Sequence, residues 1–145
     1  MGRLSMTDAE LDAFLTEEWV LRLATIDDDG WPAVVPVWFV WHGRALWVWN
    51  LTRAKRTQRL REGTRVAFVV DGGSQYVELR GVSGRLSYEF VADEHVPLAV
   101  RAGFSAKYFA SDHPLEPADH HQWIRFELDS YATWDFRKQF GGLDS

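Results

Sequence analysis

Three apolar runs, VLRLATI at 20 to 26, WPAVVPVWFVW at 31 to 41 and ALWVWN at 45 to 50, are separated only by the turns DDDG and HGR. A crossover helix between parallel strands needs a dozen or more residues, and neither turn can hold one. Residues 20 to 50 therefore predict a three-strand meander. The first run begins with the apolar–polar alternation of a half-buried strand, and the second is rich in β-branched and aromatic residues. Pro32 and Pro36 lack an amide hydrogen, which places the second run at a sheet edge or a bulge. Gly30 closes the acidic turn, where it is free to take positive φ.

The rest of the chain continues the pattern. RVAFVV, 65 to 70, reads as a buried strand and DGGS, 71 to 74, as a hairpin turn. YVELRGVSGRLSYEF, 76 to 90, is a long strand with Gly81 and Gly84 as bulge or bend sites. QWIRFELDSYATWDF, 122 to 136, is the last strand, alternating through Ile124, Phe126 and Leu128. Helical spacing is confined to three places. Thr7 and Glu10 have capping-box spacing, so residues 7 to 18 form a short amphipathic helix. TRAKRTQRLRE, with Thr52 as its cap, predicts a helix over 53 to 61. Residues 92 to 110 are mixed helix interrupted at Pro97. A polar loop, SDHPLEPADHH, precedes the last strand, and the tail KQFGGLDS reads as loose. Six strands with tight turns, and only one gap holding a good helix, make a mainly β fold: a six-stranded antiparallel barrel, one domain over 1 to 145.

The chain has no cysteine, which excludes disulfides, thiolate nucleophiles and zinc–thiolate sites. A net charge of −5 argues against general nucleic-acid binding. No apolar run reaches membrane-spanning length and no signal-peptide core is present, so a cytoplasmic protein is expected. Eight tryptophans are present, five of them between residues 31 and 49. They fit a core plus a subunit interface, or a wall for a planar ligand.

Against the acidic balance, residues 50 to 70 hold six basic side chains and one acid, while ten bases face twenty acids elsewhere. On a helix Lys55 and Arg59 are i,i+4 neighbours, and Arg56 and Arg59 are i,i+3, so the three share a face. A solvated face is the ordinary explanation of such a cluster. Here the cations have only Glu62 near them in sequence and follow a Trp-rich strand pair. A flat ring wall beside a phosphate anchor describes a nucleotide-like cofactor such as flavin mononucleotide. Neither a Walker loop nor a GxGxxG turn occurs.

The run LATIDDDGWPAVVPVWFVWHGRALWVWN, then TRAKRTQRL, then YVELRGVSGRL, resembles the pyridoxamine 5'-phosphate oxidase-like flavin-binding split-barrel superfamily over residues 20 to 88. The resemblance implies a homodimeric six-stranded split barrel with cofactor between subunits. It implies that Lys55 and Arg56 hold the cofactor phosphate. Ala54 stands where many members have serine, and Thr52 is the candidate to supply the missing hydroxyl. Val35, Pro36, Val37 and Trp38 match the strand that lines the ring system, Trp49 and Asn50 the next strand's contacts, and Gln75 a glutamine that some members offer to the flavin. The chain lacks the Arg-rich C-terminal segment of the true pyridoxamine phosphate oxidases. It looks more like small members that use FMN or the deazaflavin coenzyme F-420, between which Lys55 and Arg56 do not discriminate. Arg53, Arg59, Arg61 and Arg65 are candidates for the longer, more anionic deazaflavin tail.

The expected function is hydride transfer to or from a small organic substrate by the bound ring. A non-enzymatic carrier or sensor is the alternative. A haem or metal protein using His113, Asp119, His120 and His121 is a third reading; adjacent histidines in a polar loop are usually only loop.

Overall fold

The computed structural model describes residues 2–141. In chain order they form α1 (Asp8–Glu17), β1 (Val20–Ile26), β2 (Pro32–Trp38), β3 (Val40–His42), β4 (Ala45–Leu51), α2 (Lys55–Arg61), β5 (Val66–Gly72), β6 (Arg80–Val91), α3 (Leu98–Phe109), β7 (His121–Asp135) and α4 (Arg137–Gly141). The strands make one seven-stranded sheet in the order β2-β1-β5-β6-β7-β4-β3, antiparallel throughout.

The run 31 to 41 is two strands, which accounts for seven rather than six. β2 pairs with β1 from Trp38↔Val20 to Pro32↔Ile26, and β3 pairs with β4 at the other end of the sheet order. One continuous segment thus supplies both edges, and the sheet must curl until they meet at Phe39. This makes a split barrel. At the break the Phe39 backbone has no strand partner, and an unpaired buried peptide group is costly. Two side chains of α3 satisfy it. Its N–H donates to Tyr108 Oη at 3.0 Å, and its carbonyl accepts from Tyr108 at 2.9 Å and from Lys107 Nζ at 3.3 Å.

Side chains inside the barrel form one core. Leu11, Phe14 and Leu15 of α1 are at most 1 % exposed and belong to it with Leu21, Leu23, Phe39, Val82 and Phe126. Each such side chain contributes about 2 kcal/mol by leaving water. A second core lies outside the sheet, where Val100 and Phe104 of α3 cover Ala45, Trp47 and Trp123. β4 is therefore buried on both faces.

Local expectations hold where the signal is local. Thr7 and Glu10 form the capping box in both directions, at 3.1 and 2.8 Å. Both β2 prolines sit on an edge strand. Gly84 is required because an added Cβ would lie 2.0 Å from Ser130 O, and the β6–β7 register shifts beside it, between Arg85 and Leu86. Pro97 breaks the helical stretch as expected, between a 3-10 turn over Asp93–His95 and α3. Three expectations change. Residues 76 to 78 are a 3-10 turn and β6 starts at Arg80. Ala54, not Thr52, occupies the N-cap of α2, with no side-chain cap bond. Residues 138 to 141 of the expected loose tail belong to α4, and residues 142 to 145 lie outside the described residues.

Candidate functional site

A cleft of about 330 Å³ opens where β2, β4, α2, α3 and the start of β7 converge. Pro36, Val37 and Trp38 form one wall, Trp49 and Leu51 another, with Arg56 at one edge and Phe104 and Phe109 over the top. The curl of the sheet creates this meeting, because β2 and β4 come together only where the split barrel closes. Two aromatic side chains of the cleft are held by neighbours. Trp38 stacks on Tyr108 at 4.6 Å between centroids, and Trp49 stacks on His121 at 3.9 Å.

The basic helix is tied to the floor of the site through Asn50. This side chain is 1 % exposed. Its Nδ2 donates to Thr57 Oγ1 at 2.8 Å, and its Oδ1 accepts from Arg56 Nε at 3.0 Å. The Thr57 hydroxyl in turn donates to Leu51 O at 2.7 Å. Thr57 fixes α2 from inside the helix, where capping by Thr52 was expected. The Asn50 contact aims the guanidinium of Arg56 and uses only its Nε. Burial pulls the Arg56 pKa down, since desolvation disfavours the charged form. Among the described residues none of Arg53, Lys55, Arg56, Arg59 and Arg61 makes an ion pair. Glu62, their nearest acid in sequence, accepts instead from Gln58 Nε2 at 3.0 Å. A half-buried guanidinium beside an apolar cleft, with no carboxylate to neutralise it, suits an anionic group joined to a flat one.

Of the residues singled out in the sequence, Pro36, Val37, Trp38, Trp49 and Arg56 line the cleft together. Asn50 lies beneath it. Val35 packs against the barrel core, and Lys55 is exposed on the first turn of α2. Thr52 lies beside the site, its N–H donating to His120 O at 2.8 Å. Gln75 is not among the residues lining the cleft; it precedes the 3-10 turn Tyr76–Glu78 that follows β5. The four residues of the metal reading also part company. His120 accepts from Arg53 Nη2 at 2.7 Å, His121 lies against Trp49, and among the described residues no group of three or more His, Cys, Asp or Glu side chains is placed to hold a metal ion. Val48, Leu51, Phe104, Phe109 and His121 are the lining residues that the sequence reading did not place.

An antiparallel sheet curled to closure with one break, as at Phe39, is a split barrel. The family model described as pyridoxamine 5'-phosphate oxidase matches residues 7–135, and the chain belongs to this family. Among solved structures, the conserved hypothetical protein Rv2991 from Mycobacterium tuberculosis is similar at 23% identity and TM-score 0.84, over 97% of this chain and 91% of that one. An F420 reductase is similar at 24% identity and TM-score 0.60, over 83% and 94%. An FAD and heme binding protein from Mycobacterium smegmatis is similar at 18% identity and TM-score 0.70, over 92% and 73%. No match was found among curated proteins.

Proposed function

We propose that this chain is a flavin-type oxidoreductase that binds FMN or the deazaflavin coenzyme F-420 and passes a hydride to or from a small organic substrate. The observation that carries this reading is the cleft itself: the indoles of Trp38 and Trp49 lie along walls that end at Arg56, an unpaired guanidinium aimed by Asn50. The apolar walls would take the three-ring system. Arg56 and Lys55 would take the phosphate, Arg as a planar fork and Lys as a point charge. When bound, the ring supplies the two-electron chemistry; the protein orients it and excludes water. Similarity to an F420 reductase supports the deazaflavin form, and similarity to an FAD-binding protein from Mesorhizobium loti supports the flavin form. Arg59 and Arg65, around a smaller hollow with Ile26, Glu62 and Thr64, are the groups that would meet a longer anionic tail.

A second copy of the chain would complete the site. Pro32, Val34, Pro36 and Trp38 all point to the outer face of β2 and all are exposed, although an outer face in contact with water is normally polar. Trp31, beside them, is 71% exposed. This apolar stripe leads directly into the cleft, so burying it in a homodimer would also cover the cofactor. Gln75 would then act, if at all, from the partner. Sedimentation of the cofactor-loaded protein as a monomer would exclude this arrangement.

The test of the binding reading is the double variant Lys55→Ala/Arg56→Ala. Charge-assisted hydrogen bonds contribute about 1.5–3 kcal/mol each, so cofactor affinity should fall by roughly 100-fold or more. Unchanged affinity would reduce the segment to a solvated helix face. Tight cofactor binding with no turnover toward any acceptor would favour a carrier or sensor.

A further inference from the structure

The geometry points to His121 as the proton-delivering residue of the cleft, a catalytic acid for substrates whose reduced form carries a new O–H or N–H bond. This inference rests on the reading of the cleft as a hydride-transfer site. Hydride addition to a polar double bond leaves an electron pair on a heteroatom, and that pair needs a proton. His121 and Arg56 are the titratable side chains lining the cleft. A guanidinium does not release its proton near neutral pH, whereas imidazole does.

Three features place the imidazole for this role. First, its ring is clamped against Trp49, with centroids 3.9 Å apart and planes 22° from parallel. Second, Nδ1 lies 3.1 Å from Asp119 O. A carbonyl only accepts, so Nδ1 carries the hydrogen and Nε2 is the nitrogen left to exchange a proton. A base oriented by a third group in this way is the usual arrangement of a working histidine. Third, the preceding residue is strained. His120 has φ of 65°, a left-handed conformation unusual for any residue but glycine. Such a conformation persists where surrounding contacts over-determine it and concentrates at functional sites. Here Thr52 N–H holds His120 O at 2.8 Å and Arg53 holds His120 Nε2 at 2.7 Å. The twist separates two adjacent histidines: His120 turns to Arg53, and His121 turns into the cleft.

The surroundings of His121 are mostly uncharged. β4 and α3 present Trp49, Leu51, Phe104 and Phe109, and β2 presents Trp38. Arg56 of α2 is the charged group among the lining residues, and on the loop His120 is engaged by Arg53. As a hydride from a reduced two-electron carrier forms a C–H bond on the acceptor, the acceptor's π bond breaks and its electron pair moves to the heteroatom. The Nε2–H bond of His121 then breaks as the new O–H or N–H bond forms, and the neutral imidazole regains a proton from water.

The experiment pairs one measurement without cofactor and one with it. In the cofactor-free protein, an imidazolium stacked on indole quenches it, so tryptophan emission should fall on acidification through the imidazole range, and His121→Gln should abolish that step. At saturating cofactor, His121→Gln should lower kcat by roughly 100-fold, the ordinary yield of general acid catalysis. The alkaline limb of the wild-type kcat profile should disappear with it. A His121→Gln protein that turns over at the wild-type rate with the wild-type profile overturns the proposal and leaves the cofactor reading intact. Failure of the wild-type protein to bind either cofactor overturns both. Should the variant not fold, His121→Asn is measured in its place, and a wild-type kcat with the wild-type profile in that variant overturns the assignment.

Discussion

Around α1 and α4 the fold gives its cations carboxylate partners: Arg137 meets Asp135 at 2.8 Å, Lys138 meets Glu10 at 2.7 Å, Arg80 meets Glu17 at 3.4 Å and Arg44 meets Asp12 at 3.5 Å. Around α2 five cations have none among the described residues. The chain is acidic overall, so the lack of partners at α2 is not a shortage of carboxylates. The two regions differ in what the charge is for. Paired charge holds the chain's ends to the barrel; on the proposed reading, the guanidinium of Arg56 beside the apolar cleft is kept for a ligand.

Exchanging the two kinds of site should separate the two effects. The largest is expected at Asp135, whose side chain is 4% exposed and binds Arg137 through Nε and Nη2 at 2.9 and 2.8 Å. Asp135→Ala leaves a guanidinium without its partner and should cost about 2–3 kcal/mol in chemical denaturation, with cofactor affinity unchanged. The hydrogen bonds from Arg137 hold this carboxyl below its ordinary value. Its contribution is therefore present above the unfolded pKa near 3.8 and lost as pH falls through the lower folded value. An acid unfolding midpoint unmoved in the variant would break this half of the comparison.

Arg56→Ala should do the reverse. Cofactor affinity should drop at least ~10-fold in a binding titration, while stability falls by only about 1 kcal/mol as Asn50 Oδ1 loses a donor. Equal losses in both measurements would mean that Arg56 is structural.

The barrel seam gives a third, pH-dependent effect. Burial pushes the Lys107 amine down to about 8 from 10.5, partly offset by the Glu18 carboxylate, and pushes the Tyr108 hydroxyl up to about 12 from 10. Between pH 8 and 10.5 the unfolded chain holds a Lys107 proton that the folded chain has released, so stability should rise with pH. Above pH 10 the folded chain keeps a Tyr108 proton that the unfolded chain loses, so stability should fall. Denaturation from pH 8 to 10 should show the rise, and Lys107→Met should flatten it. The smallest effect is expected at Arg44, about half exposed, where replacement by alanine should change stability by less than about 0.5 kcal/mol.

Much of this architecture was legible in the sequence because it follows from local rules. Short turns forced the meander, Pro32 and Pro36 marked an edge, and Thr7 with Glu10 marked a helix start. The family resemblance found Pro36, Val37, Trp38, Trp49 and Arg56 together. What stayed hidden depends on distant partners. Nothing in WPAVVPVWFVW marks a break at Phe39, because the groups that make the break tolerable, Lys107 and Tyr108, come from α3. His121 read as one of two loop histidines, because its place depends on the β4–β7 register that sets Leu51 opposite it. Thr52 was the obvious cap by position, but the buried Asn50 amide recruits Thr57.

The most direct measurement is a titration of the purified cofactor-free protein with FMN and with coenzyme F-420, following tryptophan emission. Trp38 and Trp49 line the cleft, so occupancy should quench them. The account predicts saturable quenching by at least one of the two, lost in Lys55→Ala/Arg56→Ala. Quenching by neither would contradict it, and the unpaired cations of α2 would then be a solvated face.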